Sequence, residues 1–285
     1  MFTDIAVETI NAVAAYRLQG FKDLVKDFSA EAVEIQQNGK PRTAQISLTT
    51  ETGATKENPT EFEDTSTKVE SKPIVCTLLS QQFGKLWNDP ITLEQIIAAN
   101  MDKLCDTMMG KITALFTTTN FGALNQVDIT GATTGDTKDE LFQKIYALQT
   151  KGTKKILFAN PTLYAKGAPV NQNSFDPTLG PGKVRGFDGF YEMGYLEGNA
   201  AKVCGVLTDG SGIGIISRVP QWDSMVASSL QTTTVTIDKL GLTVQLNKWG
   251  STKTRAAHAT LDVVFGAGVY DKTATKLIGE SGAAA

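Results

Sequence analysis

The feature of this sequence that most restricts its fold is one long amphipathic segment. Asp89 offers a helix N-cap, Pro90 suits the first turn, and Thr92 with Gln95 forms an alternative capping box. An apolar residue then recurs every three or four positions, at Leu93, Ile97, Met101, Leu104, Met108, Ile112 and Leu115. This spacing is typical of one face of an α-helix. The pattern predicts a helix over residues 92–117, roughly 38 Å long for about 25 residues.

Other segments alternate between apolar and polar residues, which is typical of strands. Val33 to Thr49 has this period around Asn38-Gly39, a pair that favours a hairpin turn. Further predicted strands lie at 73–80, 156–159, 189–196, 201–209, 212–222, 233–249 and 254–271. Shorter helices are predicted within residues 1–30, interrupted at Gly20, over 138–151, and from Pro161. Together these elements predict an α+β fold.

Two stretches lack a regular pattern. Residues 51–72 are acidic, and Phe62 is almost their only large apolar side chain. Such a stretch cannot bury enough surface to hold itself folded, so we expect it to project from the body of the protein. Residues 119–137 are rich in Gly and Thr and are predicted to be a linker.

Composition excludes several classes of function. The net charge is -3 and the pI is about 5.4, without a basic stripe, which disfavours tight nucleic-acid binding. No run of about 18 apolar residues indicates a membrane span. The first ten residues contain acids and lack the pattern of a secretory signal.

The residues that carry chemistry are few and scattered. His258 is the one histidine, and we interpret it as a strand residue that faces solvent or another subunit. Cys76, Cys105 and Cys204 lack metal-ligand spacing and are predicted to be buried and reduced. The glycines of 210–214 do not match a phosphate-binding loop. We therefore predict no enzyme activity, no catalytic residue, no cofactor and no metal site.

At this point the order of segments resembles the major capsid proteins of tailed bacteriophages, which have the Hong Kong 97 type fold. PIVCTLLSQQF followed by LWNDPITLEQIIAANMDKLCDTMMGKITALF is similar to the family's strand and spine helix. KKILFANPTLYAK and LTDGSGIGIISRVPQW resemble strands of its axial domain. The segment from LGLTVQLNKW to GAGVYDKTATKLI resembles the return through its peripheral domain.

The resemblance implies a division of the chain. Residues 1–32 would be an N-terminal arm, and 33–80 an extended β-hairpin loop with flanking strands. Residues 81–130 and 231–285 would form the peripheral domain with its spine helix, and 131–230 the axial domain. The arm and the loop are expected to pack on neighbouring subunits as well as on their own.

The resemblance also implies a function and partners. We expect a subunit that self-assembles into pentamers and hexamers of an icosahedral phage head, which encloses double-stranded DNA without sequence-specific binding. An encapsulin-like nanocompartment shell is the alternative. Because Met1 lies directly before the arm, we expect a separate scaffolding protein or none, besides a portal and decoration proteins. The protein would be located in the virion after assembly in the host cytoplasm. Predicted intersubunit contacts in the loop are Lys56, Glu57, Glu61, Phe62, Glu63, Asp64 and Lys68.

Overall fold

The computed structural model describes residues 2–30, 33–35, 43–50, 63–67, 72–79, 90–167, 186–199, 201–219, 231–237, 240–251 and 256–281. Within them the chain mixes helices and strands, as predicted. The helices are α1 (Phe2–Arg17), α2 (Phe21–Leu24), α3 (Pro90–Thr113), α4 (Thr118–Phe121), α5 (Gly135–Tyr146) and α6 (Pro161–Gly167), with a 3-10 turn at Gly194–Leu196. The strands are β1 (Val25–Asp27), β2 (Val33–Ile35), β3 (Thr43–Thr50), β4 (Glu63–Thr67), β5 (Lys72–Leu79), β6 (Asn125–Val127), β7 (Ile156–Ala159), β8 (Gly189–Glu192), β9 (Val203–Thr208), β10 (Ile213–Arg218), β11 (Gln231–Ile237), β12 (Leu242–Ser251), β13 (Ala256–Val269) and β14 (Thr275–Glu280).

The chain folds into two compact units. The first contains Met1–Gln19, Asp27–Met108 and Ile215–Gly268, and the second contains the remainder, Gly20–Lys26, Met109–Gly214 and Val269–Ala285. These boundaries differ from the predicted division in several places, since 20–26 and 109–130 belong to the second unit and 215–219 to the first. The sequence placed all of 231–285 in one domain, whereas its last segment, which contains β14, belongs with the second unit.

The main sheet of the first unit has the strand order β1-β10-β13-β12-β11, and β5 also pairs with β13. The pairs β11–β12, β12–β13 and β13–β5 are antiparallel. Helix α1 packs against β11. Its residues Ala6, Ile10 and Ala14, which lie at helical spacing, are fully buried. The N-terminal segment therefore buries its apolar face within its own chain.

Helix α3 confirms the predicted apolar stripe, since Ile97, Met101 and Leu104 are fully buried. It begins at Pro90 as the cap signals indicate, but it ends at Thr113, four residues before the predicted end. Its last turn tightens, because the amide of Phe116 donates to the carbonyl of Thr113 at 3.1 Å. Thr117 then caps the short helix α4 by accepting a hydrogen bond from the amide of Asn120.

An ion-pair cluster joins α1 to α3 in the first unit. The Nε atom of Arg17 lies 3.2 Å from Oδ1 of Asp102, and its Nη2 atom pairs with Asp106. The two aspartates are one helical turn apart and therefore lie on the same face of α3. Because all three side chains are partly exposed, the cluster orients the two helices more than it stabilises them.

The second unit contains a five-stranded sheet with the order β6-β14-β9-β7-β8. Strands β14–β9 and β9–β7 are antiparallel, whereas β14–β6 and β7–β8 are parallel. Its core includes edge-to-face contacts of Phe142 with Phe187 and with Phe190. Strand β7 has the bounds that the sequence predicts.

Three predictions about the second unit were wrong. The supposed linker 119–137 contains most of α4 and all of β6. The C-terminal segment 275–280, for which no strand was predicted, is β14, an interior strand of the sheet between β6 and β9. Helix α5 was predicted over 138–151 but spans 135–146. It begins early because Thr134 forms a capping box with Thr137, and it ends early because the Lys155 ammonium group donates to the carbonyls of Tyr146 and Leu148.

Gly20, which separates α1 from α2, occupies a position that only glycine suits. Its φ is +74°, in the left-handed region. A Cβ atom there would lie 2.7 Å from Cγ of Tyr191 and 2.9 Å from Cε1 of Phe158. Those two rings are stacked, with centroids 5.2 Å apart, and Tyr191 donates to Oδ2 of Asp23 at 2.6 Å. The aromatic pair therefore has little freedom to move aside.

We predict that Gly20→Ala lowers the free energy of unfolding by about 1–3 kcal/mol, because it adds backbone strain to a steric overlap. Gly110→Ala is the matched control, since a Cβ at this helical glycine meets nothing within 4 Å. The control is expected to stabilise by about 1 kcal/mol through helix propensity. Urea denaturation followed by circular dichroism measures the free energy of unfolding of both variants. Equal effects of the two substitutions would contradict the conclusion that the position of Gly20 requires glycine.

A second prediction concerns Lys151 and Asp271, whose Nζ and Oδ2 atoms are 2.7 Å apart in the second unit. Burial of Asp271 opposes its charge, but hydrogen bonds from Lys151 and Thr273 outweigh this, so the carboxyl pKa lies below its ordinary 3.8. The stabilisation is present above pH 3.8 and disappears as the pH falls through the lowered pKa. Lys151→Met is expected to lower Tm by about 1–3 °C at pH 6 and by nothing once Asp271 is protonated. Thermal melts at pH 6 and at a pH below the lowered pKa of Asp271 check this. The control Lys154→Met should leave Tm unchanged under both conditions.

Candidate functional site

The two described cysteines are unsuited to catalysis. Cys105 of α3 and Cys204 of β9 are both buried and free. Burial raises the pKa of each thiol to about 12, so almost no nucleophilic thiolate forms at neutral pH. Cys204 also donates a hydrogen bond from Sγ to the carbonyl oxygen of Ile278 at 3.3 Å. The prediction of buried, reduced cysteines is confirmed for these two, while the Cys76 side chain lies outside the description.

His258 occupies a strand position, as the sequence predicted. It lies in β13 opposite Trp249 of β12 and Leu79 of β5 in the strand register. Across the described residues no three or more His, Cys, Asp and Glu side chains gather as a metal-binding group would require. A search of the same residues finds no helix long and apolar enough to cross a membrane.

The glycine-rich turn at 210–214 joins two strands, β9 and β10. Its amides are already occupied by side chains of the same turn. Thr208 Oγ1 accepts from the amide of Gly210 at 3.1 Å, and Asp209 Oδ1 accepts from the amide of Ser211 at 2.9 Å. Because no helix follows the turn and these amides are bonded internally, the phosphate-loop interpretation that the sequence disfavoured gains no support.

The most distinctive feature of the first unit is its three-stranded sheet β2-β3-β4. Strand β3 pairs antiparallel with β2, from Val33↔Gln45 to Ile35↔Thr43, which confirms the predicted hairpin strands. The turn at 36–42 lies outside the described residues. Strand β3 also pairs with β4, from Ile46↔Thr67 to Thr50↔Glu63. Among the described strands, none of these three pairs with a strand of the other two sheets.

Strand β4 lies within the acidic stretch 51–72, whose local pattern predicted no strand, although the resemblance implied a β-hairpin loop there. Its sequence is Glu-Asp-Thr-Ser-Thr, and no side chain in it is large and apolar. Pairing with β3 supplies the backbone hydrogen bonds that such a sequence needs, and this pairing is not visible in the composition. A strand that is held by its partner in this way gives little periodic signal.

The segment that carries β2, β3 and β4, called the excursion below, lies between Ser29 and β5. Both of its ends join the main sheet of the first unit. Before it, the amide of Phe28 donates to the carbonyl of Ile215 at 2.9 Å, and Ser29 Oγ accepts from the amide of Ser217 at 2.8 Å. After it, β5 pairs with β13 over eight positions. The first attachment was not predicted from the sequence. The short motif Asp27-Phe-Ser29, in which Asp27 Oδ1 accepts from the amide of Ser29 at 2.8 Å, was its available signal.

Two of the predicted contact residues lie in the described part of this sheet. Glu63 and Asp64 lie on β4, opposite Thr50 and Thr49 in the register. The remaining predicted contacts, Lys56, Glu57, Glu61, Phe62 and Lys68, lie outside the described residues. Their role in contacts between subunits stays a prediction.

Comparison with solved structures identifies the fold. The capsid of the native GTA particle matches with a TM-score of 0.51 and 13% sequence identity, over 93% of this chain and 89% of that chain. Two further structures match with lower scores. The capsid of cyanophage P-SCSP1u has a TM-score of 0.48 and 13% identity, over 92% of this chain and 88% of that chain. The virus-like particle from Pyrococcus furiosus has a TM-score of 0.49 and 10% identity, over 95% of this chain and 98% of that chain. No protein-family model matches the chain, and no curated protein sequence matches it. The first of these likenesses shows that the chain has the fold of a capsid subunit.

The cysteine geometry generates a prediction about reactivity. In a Cys76→Ser background, Cys105 and Cys204 should resist maleimide labelling at pH 8 while the chain is folded, since a pKa of about 12 leaves about a thousandfold less thiolate than the ordinary value of 9.0. Both should label fully in 6 M urea, counted by mass spectrometry. Labelling of the native chain at the rate of glutathione would contradict the described burial.

Proposed function

We propose that this chain is the structural subunit of a protein shell, the major capsid protein of a tailed phage. Copies would close into pentamers and hexamers of an icosahedral head around double-stranded DNA. The observation that carries the proposal is the capsid-subunit fold, found over 93% of the chain at a TM-score above 0.5. The described residues, which bring together no reactive thiol or metal-binding group, are consistent with a structural role.

The parts of the chain take the following roles in the proposal. Helix α3 is the spine helix of the peripheral domain, and the first unit supplies most of that domain. The second unit, built on the sheet β6-β14-β9-β7-β8, is the axial domain around five-fold and six-fold centres. The unbroken 24-residue length of α3 and its buried stripe support the first role.

The sheet β2-β3-β4 is the extended loop that lies on a neighbouring subunit. Its separate strand pairing supports this role, together with the attachment of both its ends to the main sheet. A narrow sheet of polar strands gains little stability by itself. It gains buried area when a second copy packs against it, and a symmetric shell repeats that gain at every subunit.

The charged residues in the sequence of the loop set the chemistry of this contact. Glu57, Glu61, Glu63 and Asp64 outnumber Lys56 and Lys68, so the loop would meet a basic surface of the neighbour. Contacts between exposed charges weaken as salt screens them. Shell assembly should therefore depend on ionic strength.

The remaining partners follow from the shell. A scaffolding protein, a portal and decoration proteins would contact the subunits, and DNA would be enclosed without sequence-specific binding. The net charge of -3 supports enclosure without tight contact. The protein would reside in the virion after assembly in the host cytoplasm.

The test is to shorten the loop without disturbing its strands. Thr50 and Glu63 are paired, so replacing residues 51–62 with Asn-Gly closes β3 and β4 with a two-residue turn. This variant should remain soluble and folded by circular dichroism but form no closed shells in negative-stain micrographs. The wild-type chain, expressed alone and with its neighbouring genes, should form them, and these shells should protect DNA from nuclease.

A second variant serves as the control for length. Replacing residues 51–62 with a Gly/Ser segment of the same length keeps the length of the loop and removes Lys56, Glu57, Glu61 and Phe62. If this control forms shells and the shortened variant does not, the length of the loop suffices and these four predicted contact residues are rejected. Normal shells from the shortened variant would reject the loop's role. A wild-type chain that stays monomeric with its neighbouring genes present would reject the shell function itself.

A further inference from the structure

One face of the main sheet in the first unit carries polar side chains where a core would be expected. Asn247 of β12 lies between Thr232 of β11 and Thr260 of β13 in the strand register, and Gln245 lies opposite Asp262. Asn247 and Asp262 each expose only 1% of their surface. The opposite face of the same strands is apolar and buried, with Val244, Leu246, Leu261 and Val263.

A chain of hydrogen bonds on this face ends at Asp262. Thr232 Oγ1 donates to Oδ1 of Asn247 at 2.8 Å, and Asn247 Nδ2 donates to Oδ2 of Asp262 at 2.6 Å. Thr260 Oγ1 donates to the same Oδ2 atom at 2.8 Å. The Asn247 amide also donates to Oε1 of Gln245 at 3.2 Å. Oδ2 of the carboxyl group thus receives two hydrogen bonds.

The other carboxyl oxygen of Asp262, Oδ1, is buried and has no hydrogen-bond partner among the described residues. The described side chains that contact the carboxyl are all neutral. Lys248 follows Asn247 on β12 and therefore points to the opposite face, and Lys72 of β5 lies opposite Phe265, three positions along β13. A buried carboxylate without a cation and with one bare oxygen is costly, because neither charge pairing nor hydrogen bonding offsets its lost hydration.

We propose that Asp262 is a proton-binding site that couples the stability of the first unit's sheet to pH. With a proton on Oδ1, the carboxyl is neutral and the chain of donors from Thr232 ends on an uncharged group. When the proton leaves, a negative charge remains between β12 and β13 with two hydrogen-bond donors and, among the described side chains, no counter-ion. The pairing of β12 with β13 is then less stable. This role is independent of the shell function.

The direction of the effect is opposite to that of an ordinary paired aspartate. Burial raises the pKa of Asp262 above 3.8, and the hydrogen bonds from Thr260 and Asn247 only partly oppose this. The folded chain therefore holds its proton at pH values where the unfolded chain has lost it. The stabilisation is fully present below pH 3.8 and is lost as the pH rises through the folded pKa. Across that window the unfolding equilibrium constant rises by up to about tenfold per pH unit.

The experiment compares the full-length chain with Asp262→Asn in urea between pH 4 and 7.5, at constant ionic strength and the same assembly state. Tryptophan fluorescence reports on the first unit alone, because Trp87, Trp222 and Trp249 all belong to it. The urea concentration at the midpoint of unfolding should fall for the wild type, relative to that of Asp262→Asn, as the pH rises. The reason is that the amide of the substituted asparagine cannot ionise. Midpoints that change in parallel overturn the proposal.

Two further variants complete the test. Glu94→Gln removes an exposed carboxylate of the same unit and should follow the wild-type pH dependence. Thr260→Val removes one donor that favours the charged form, so the loss of stability should continue to higher pH than in wild type. If Asp262→Asn does not fold, Thr260→Val decides alone, and a pH dependence equal to that of wild type then overturns the proposal.

Discussion

The first unit depends on the pairing of β13 with its neighbours. This 14-residue strand pairs with β10, β12 and β5. Through β5 it holds the returning end of the β2-β3-β4 excursion, and through β10, which bonds Phe28 and Ser29, it is linked to the departing end. Without this strand neither end of the excursion has a fixed position. Its apolar face forms core, while its other face carries the buried aspartate.

This arrangement explains how a polar excursion remains part of a stable subunit. The strands β3 and β4 contribute little apolar surface, so their backbone pairing and the two attachments must hold them. In the proposed shell, a neighbouring copy completes what the excursion lacks. In this proposal the compact core stabilises the subunit, whereas the sheet β2-β3-β4 stabilises the assembly.

The buried chemistry of the chain serves structure in both units. Burial keeps the thiols of Cys105 and Cys204 protonated, and it disfavours the charge on Asp262. Burial thereby removes charge or reactivity from each group. In contrast, the partly exposed Asp271 keeps its charge because Lys151 lies beside it. The same carboxyl chemistry therefore gives opposite pH dependences at two positions, according to whether a cation is present.

The sequence by itself determined the elements that have a strong local pattern: the stripe of α3, the bounds of β7, the break at Gly20 and the mixed fold class. Each of these depends on residues a few positions apart, so periodicity, turn chemistry or a positive φ reveals it. Only the tertiary structure decided the roles of β4, β6 and β14, because partners distant in sequence supply their hydrogen bonds. The same holds for the polar cluster, since Asn247 and Asp262 are 15 residues apart and meet through strand register alone. Local spacing cannot encode a register that depends on pairing across the whole sheet.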